Sequence, residues 1–173
     1  MGADPDLASR VREAALLEGD FVLSSGKKSR FYVDKYLFST EPSLLRYLAH
    51  EIWARLPAGV ERLAGVELGA VPLVTAVALE GGLPYAIVRK AAKGYGTGNR
   101  IEGRMPVGEK VALIEDVVTT GAQALRAVEI LEEVGAKVLR IVAVLDRRDT
   151  WSAHLGGYPF EALLRMEDLG VTS

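Results

Sequence analysis

From residue 62 onwards, the chain alternates between short apolar runs and segments whose apolar residues have helical spacing. The apolar runs show no regular alternation with polar residues and cover residues 62–66, 85–88, 111–114, 138–145 and 160–164. Two segments with helical spacing, at about 71–79 and 122–134, lie between them. Such runs are typical of strands that are buried on both faces. The alternation therefore predicts an α/β fold built on a parallel sheet with right-handed crossovers.

The N-terminal part of the chain has a different pattern. Residues 6–18 have helical spacing, which predicts a helix that stops at Gly19. Two short strands are predicted over 21–23 and 30–34, on either side of the turn sequence SSGKKS. A further helix is predicted over 41–56, with a proline near its first turn.

Composition limits the class of protein. The 173 residues fit one domain, and a net charge of -2 argues against a dedicated nucleic-acid binder. The chain has no cysteine and two histidines, so we expect no metal site made by the protein's own side chains. No apolar stretch reaches the roughly 18–20 residues that a membrane span needs. Since the N-terminus also lacks a secretory pattern, we expect a cytoplasmic protein without membrane contact.

Basic residues are concentrated in one segment despite the acidic net charge. Between Arg89 and Arg104 there are five basic residues against one acid, Glu102. Local positive charge on a mildly acidic protein suits a small anionic ligand. The alternative is a solvated, charged loop.

A candidate site follows the run at 111–114. In parallel sheets, ligands bind beyond the carboxyl ends of the strands. Glu115 and Asp116 come directly after this run, and two adjacent carboxylates suit the hydroxyls of a ribose or a metal-bound water. Residues 119–121 then offer hydroxyls and backbone N–H groups at a helix N-terminus, which binds phosphate. The alternative is that Thr119 or Thr120 only caps the helix.

The segment V-A-L-I-E-D-V-V-T-T-G-A-Q at 111–123 resembles the phosphoribosyl diphosphate (PRPP) loop of the type I phosphoribosyltransferases. The resemblance implies that Glu115 and Asp116 contact the ribose hydroxyls and that residues 118–123 cradle the 5-phosphate. It also implies a parallel-sheet core with helices on both faces and a small N-terminal hood. We expect a single domain over 1–173, with the hood at roughly 1–38 and the core at roughly 39–173.

Further segments resemble the orotate phosphoribosyltransferases. Residues 19–34 are similar to the hood of that family, and residues 89–98 with 101–103 are similar to its mobile catalytic loop. Residues 65–69 look like its diphosphate-binding turn, and 145–147 look like the strand end whose arginine meets orotate. The resemblance thus extends from about residue 19 to residue 147.

The resemblance implies a Mg²⁺-dependent transfer of ribose 5-phosphate from PRPP to orotate. Lys93, Glu115 and Asp116 are the implied catalytic residues, and Thr119 and Arg147 are the implied orotate-binding residues. The implied PRPP-binding residues are Arg89, Lys90, Lys93, Tyr95, Glu115, Asp116, Val117, Val118, Thr119, Thr120, Gly121, Ala122 and Gln123. A homodimer is also implied, in which Arg89, Lys93 and the lid act on the neighbouring subunit's site.

Three positions depart from the family pattern. Ser24 and Gly69 stand where many bacterial members have lysine, and Tyr95 stands where histidine is common. Two alternatives share the PRPP loop: a purine phosphoribosyltransferase, and a regulator that binds PRPP without catalysis. A purine enzyme would not need Arg147 for a carboxylate. A regulator would usually need a basic face or an added nucleic-acid-binding segment.

Overall fold

The computed structural model describes residues 4–22, 26, 28–91 and 100–171. Five helices lie in the described part of the chain: α1 (Pro5–Ala15), α2 (Lys35–Ser39), α3 (Pro42–Ala54), α4 (Ala70–Gly81) and α5 (Ala122–Glu133). The strands are β1 (Leu16–Val22), β2 (Lys28–Val33), β3 (Arg62–Val66), β4 (Tyr85–Val88), β5 (Ile101–Glu102), β6 (Lys110–Val118), β7 (Lys137–Asp146), β8 (His154–Leu155) and β9 (Tyr158–Arg165). A short 3-10 helix at Glu167–Leu169 follows β9.

The main sheet has seven strands in the order β5-β4-β3-β6-β7-β9-β8. Its five central strands are parallel, and the two-residue strands β5 and β8 pair antiparallel at the edges. This arrangement confirms the predicted α/β fold. Strands β1 and β2 form a separate antiparallel hairpin, which belongs to the predicted hood.

Alternate residues of β6 show how the two faces of the sheet are covered. Ala112 and Ile114 are fully buried in a cluster that includes α1, α3 and α4. Val111 and Leu113 are fully buried in a second cluster, which includes α5. Since successive side chains of a strand point to opposite faces, these clusters lie on opposite sides of the sheet. The predicted helices on both faces are therefore confirmed.

The N-termini of α1 and α3 have the same local chemistry. Asp4 caps α1 by accepting a hydrogen bond from the Asp6 N–H, and Glu41 caps α3 by accepting from Ser43 and Leu44. In both helices a proline occupies the first turn, where its missing N–H costs no helical hydrogen bond. These caps satisfy N–H groups that the helix itself leaves unpaired.

Several predicted boundaries are wrong. Helix α1 ends at Ala15, well before Gly19, because Leu16 is extended and pairs with Val33 in the hood hairpin. Strand β6 continues to Val118, four residues past the apolar run that predicted it, because β7 pairs with it to the end. Helix α2 and the short edge strands β5 and β8 were not predicted. No helix within the described ranges is both long and apolar enough to cross a membrane.

Candidate active site

The last four residues of β6 extend beyond its pairing with β3. Strand β3 pairs with β6 only as far as Gly65 and Ile114, whereas β7 continues beside it to Val118 and Asp146. Residues 115–118 therefore have a neighbouring strand on one side only. The predicted acids lie in this part of β6, so the expectation that they come after the strand is wrong.

Glu115 and Asp116 face opposite sides of the sheet. The Glu115 carboxylate approaches the side-chain amide of Gln123 in the first turn of α5, with 3.5 Å between Oε1 and Nε2. Asp116 instead contacts Lys35 of α2, on the other face. Extension of the strand through both residues is the cause, because neighbouring strand residues alternate in direction. The two adjacent carboxylates therefore do not point to the same face of the sheet.

Glu115 is almost completely buried. Only 2% of its surface is exposed, and its Oε2 atom has no hydrogen-bond partner among the described residues. Burial raises the pKa of Glu115 to about 8, and the nearby negative charge of Asp116 adds to the increase. Glu115 is thus largely protonated near neutral pH, so its carboxyl group can donate a hydrogen bond at the end of β6.

Asp116 is held by two donors. Its Oδ2 lies 2.6 Å from the ammonium of Lys35, and its Oδ1 accepts the Val117 N–H at 2.6 Å. Burial by itself lowers the pKa of Lys35, but the hydrogen bond and charge attraction from Asp116 outweigh burial and raise it. The pair is therefore ionic. Lys35 was not predicted as a site residue, since no spacing pattern relates α2 to β6.

The turn after β6 presents the N-terminus of α5. Gly121 has a φ of 84°, and a Cβ atom there would lie 2.3 Å from Leu155. Thr120 accepts the Ala122 N–H at 3.3 Å, so the alternative of a capping threonine holds for one N–H group. No side chain caps the helix at Gly121 itself. The remaining N–H groups and the helix dipole favour an anion here.

The two predicted basic residues directly after β4 contact the turn that follows β3. The backbone N–H of Lys90 donates to Glu67 Oε1 at 2.7 Å. The Arg89 guanidinium lies 3.8 Å from Glu67 and 3.5 Å from Glu102. These contacts place Arg89 against the turn of its own chain that resembles the diphosphate-binding turn of the family. Glu67 lies within the predicted turn at 65–69, but it was not predicted as a site residue.

Arg147 and Arg148 have different environments at the end of β7. Arg148 forms two contacts of 2.8 and 2.9 Å with Asp146, and it also donates to the carbonyls of Ser152 and His154. Arg147 donates its backbone N–H to Val118, and no ion pair of its side chain is found among the described residues. The predicted orotate-binding residue thus lies beside the end of β6.

Two cavities, of about 620 and 660 Å³, lie along β9 and not beside the acids. Arg147 lines the second, together with Trp151 and Met166. Cavity size therefore does not identify the end of β6, where the N-terminus of α5 lies beside an unpaired strand edge. Arg147 is the predicted site residue that borders one of these cavities.

The remaining predicted residues fall into two groups. Val117 and Val118 continue β6, while Thr119, Thr120, Ala122 and Gln123 are exposed around the start of α5. Lys93 and Tyr95, together with the lid glycines, lie outside the described residues, as does Ser24 of the hood.

Comparisons with known proteins identify the family of this chain. A family model described as the phosphoribosyl transferase domain matches residues 45–158. The orotate phosphoribosyltransferase of Natronomonas pharaonis is 46% identical over 170 residues, which cover 96% of this chain and 97% of that protein.

Solved structures give the same result. The orotate phosphoribosyltransferase of Aeropyrum pernix has a TM-score of 0.80 at 30% identity, covering 95% of this chain and 98% of its own. The Mycobacterium tuberculosis H37Rv enzyme in complex with PRPP has a TM-score of 0.75 at 31% identity, covering 96% and 98%. The chain therefore belongs to the phosphoribosyltransferases, and within them to the orotate phosphoribosyltransferase family.

Proposed function

We propose that this chain transfers the ribose 5-phosphate group of PRPP to orotate, giving orotidine 5′-monophosphate and diphosphate in UMP biosynthesis. The observation that carries the proposal is the strand end itself. Glu115 and Asp116, the N-terminus of α5, and Arg147 all lie around the last residues of β6. An acidic group for hydroxyls, an N–H cradle for phosphate and a cation for a carboxylate match the groups of the two substrates.

The reaction is a displacement at C1′ of the ribose. The bond from C1′ to the diphosphate oxygen breaks, and a bond from C1′ to N1 of orotate forms. Residues 118–123 hold the 5-phosphate, while Glu115 and Asp116 hold the ribose hydroxyls from two sides. Fixing the sugar at both ends keeps C1′ in line between nucleophile and leaving group, which lowers the entropic part of the barrier.

The leaving diphosphate needs positive charge. Arg89, Lys90, Lys93 and Tyr95 are the proposed contacts, and Arg89 and Lys90 already adjoin the turn after β3. No group of three acidic or histidine side chains that could hold a metal converges within the described ranges. Mg²⁺ is therefore proposed to bind together with the diphosphate, where it would neutralise the charge that develops on the leaving group.

Arg147 and Thr119 are the proposed contacts of orotate. A guanidinium binds a carboxylate through two parallel hydrogen bonds, so Arg147 distinguishes orotate from a neutral purine. Its side chain is available for this role because Arg148 takes the neighbouring Asp146. The choice of an anionic pyrimidine over a purine rests on this residue.

The homodimer and the cytoplasmic location stay predictions. In the proposed dimer, Lys93 and the lid of one subunit act on the site of the other. Arg89 was assigned the same role, and its described contacts are with Glu67 and Glu102 of its own chain. A contact of Arg89 with a neighbouring subunit would require these two ion pairs to break.

The test is the loss of orotate absorbance when PRPP and Mg²⁺ are added to pure protein. A parallel reaction with adenine distinguishes the purine alternative, and removal of Mg²⁺ with a chelator tests the metal. We expect turnover of orotate only, and only with Mg²⁺. Turnover of adenine in place of orotate would contradict the proposal, and PRPP binding without any turnover would favour a regulator.

A further inference from the structure

Lys35 is a hood residue that reaches into the core. It is the first residue of α2, and its ammonium lies 2.6 Å from Asp116 Oδ2 on β6. Its position is fixed from both sides. Asp34 caps α2 by accepting the Tyr36 N–H at 3.0 Å, and Phe38 anchors the helix in the core with no exposed surface. The contact between hood and strand end is therefore built into the fold.

Gly69 makes room for this contact. A Cβ atom at Gly69 would lie 1.6 Å from Asp116 Oδ2 and 2.9 Å from the Lys35 ammonium. A side chain at this position would collide with the ion pair. The ammonium of Lys35 thus lies directly against the turn after β3, at the point where the turn has no side chain.

The charges around this turn require a cation. Asp116 is a carboxylate of β6 with 3% of its side chain exposed, and Glu67 adds a second carboxylate from the turn after β3. A diphosphate entering here meets repulsion from both unless a positive charge intervenes. The side chain of Lys35 is 31% exposed, so a ligand can reach it. Its ammonium has three donors, and Asp116 takes one of them.

We propose that Lys35 is a substrate-binding residue, whose ammonium contacts the diphosphate of PRPP at the turn Glu67–Gly69 while still shielding Asp116. This inference rests on the PRPP site proposed above. It adds a contact from the hood to a site that otherwise consists of core and lid residues. PRPP then connects hood and core, in addition to the direct ion pair.

The experiment compares Lys35→Met with Lys35→Arg, which keeps the charge. Calorimetry with Mg²⁺ measures binding of PRPP, of inorganic diphosphate and of ribose 5-phosphate. We expect Lys35→Met to weaken the binding of PRPP and of diphosphate roughly ten- to hundredfold, which is the usual effect of losing a charge-assisted contact. Ribose 5-phosphate should lose much less affinity than diphosphate, because Lys35 does not touch the 5-phosphate and acts on the ribose only through Asp116. Lys35→Arg should restore most of the affinity.

Lys137→Met is the matched control. Lys137 is exposed at the start of β7, at the opposite end of the strand from the site, and its loss should change none of these affinities. Thermal unfolding checks that each variant is folded, and Lys35→Gln replaces Lys35→Met if the latter does not fold. In steady-state assays, the KM for PRPP should rise while the KM for orotate stays the same.

The outcomes separate this inference from the proposed function. If the parent binds PRPP and Lys35→Met binds diphosphate equally well with a lower kcat, Lys35 only positions Asp116 and the inference is wrong. Introducing Lys35→Met into Asp116→Asn distinguishes the same two roles. If Lys35 contacts diphosphate directly, its loss still weakens diphosphate binding in that background. If the parent does not bind PRPP at all, the proposed function itself is overturned.

Discussion

Gly121 is subject to two independent constraints at the start of α5. Its φ of 84° is a left-handed conformation that costs a residue with a side chain about 1–2 kcal/mol. The side chain of Leu155 also occupies the space that a Cβ atom would need. Because the proposed phosphate cradle consists of the backbone at this turn, we expect strain here to affect both stability and PRPP binding.

We expect Gly121→Ala to destabilise the protein by more than the strained φ alone, about 3 kcal/mol in total. Gly157→Ala is the control, since Gly157 has a φ of 93° but open space around its Cβ position. It should lose only about 1–2 kcal/mol. Chemical denaturation measures both values, and equal losses would show that the contact with Leu155 is unimportant.

Glu115 predicts a dependence of stability on pH. Its pKa is raised from 4.5 to about 8 in the folded protein, so folding retains a proton that the unfolded chain releases between these values. The stabilisation is complete below pH 4.5 and is lost as the pH rises towards 8.

Glu115→Gln removes this titration. Between pH 5 and 8, the free energy of unfolding of the parent should fall by roughly 2 kcal/mol more than that of the variant. Denaturation curves at several pH values measure the difference. Parallel pH profiles for the two proteins would show that Glu115 titrates at its ordinary pKa.

At the scale of elements, a structural arginine and the arginine proposed to bind orotate follow each other at the end of β7. Arg148 and Asp146 are both largely buried, with side chains 11% and 4% exposed. Arg148 also stacks over Phe160, with 4.4 Å between its Cζ atom and the ring centroid. Arg147 lies one residue earlier, directly after β7. Its backbone N–H donates to the carbonyl of Val118, and the residue lines a cavity.

The two arginines should respond differently to substitution. Arg148→Met leaves a buried Asp146 without its partner and should cost about 3 kcal/mol of stability. Arg147→Met should leave stability within about 0.5 kcal/mol of the parent but raise the KM for orotate by roughly tenfold or more. Thermal unfolding and initial rates distinguish the two effects. A loss of stability in Arg147→Met without a change in KM would remove it from the orotate site.

The sheet could be predicted from the sequence because buried parallel strands consist of apolar runs without regular alternation. The end of β6 could not, since Glu115 and Asp116 interrupt the apolar pattern although the strand continues. That continuation depends on pairing with β7, which a local pattern does not contain. Lys35 was missed for a related reason, because its partner Asp116 is distant in sequence and only the folded hood brings them together.

At the scale of the whole molecule, the proposed dimer determines which residues share one site. If the lid acts across the interface, Lys93 of one subunit and Arg147 of the other belong to the same site. At an orotate concentration well below the KM of Arg147→Met, this variant and Lys93→Ala should each be nearly inactive as homodimers, since each lacks one part of every site. A mixed dimer then contains one complete site, made from the intact Arg147 of one subunit and the intact Lys93 of the other.

We therefore expect activity to return when the two inactive variants are unfolded together, refolded and assayed. Random pairing makes about half of the dimers mixed, and each has one working site of two, so roughly a quarter of the parent activity should be recovered. Variants refolded separately and then assayed together at once serve as the control and should stay inactive. Light scattering confirms that each sample is dimeric. If the lid acts within its own subunit, each mixed dimer has one site without Lys93 and one without Arg147, so no activity returns.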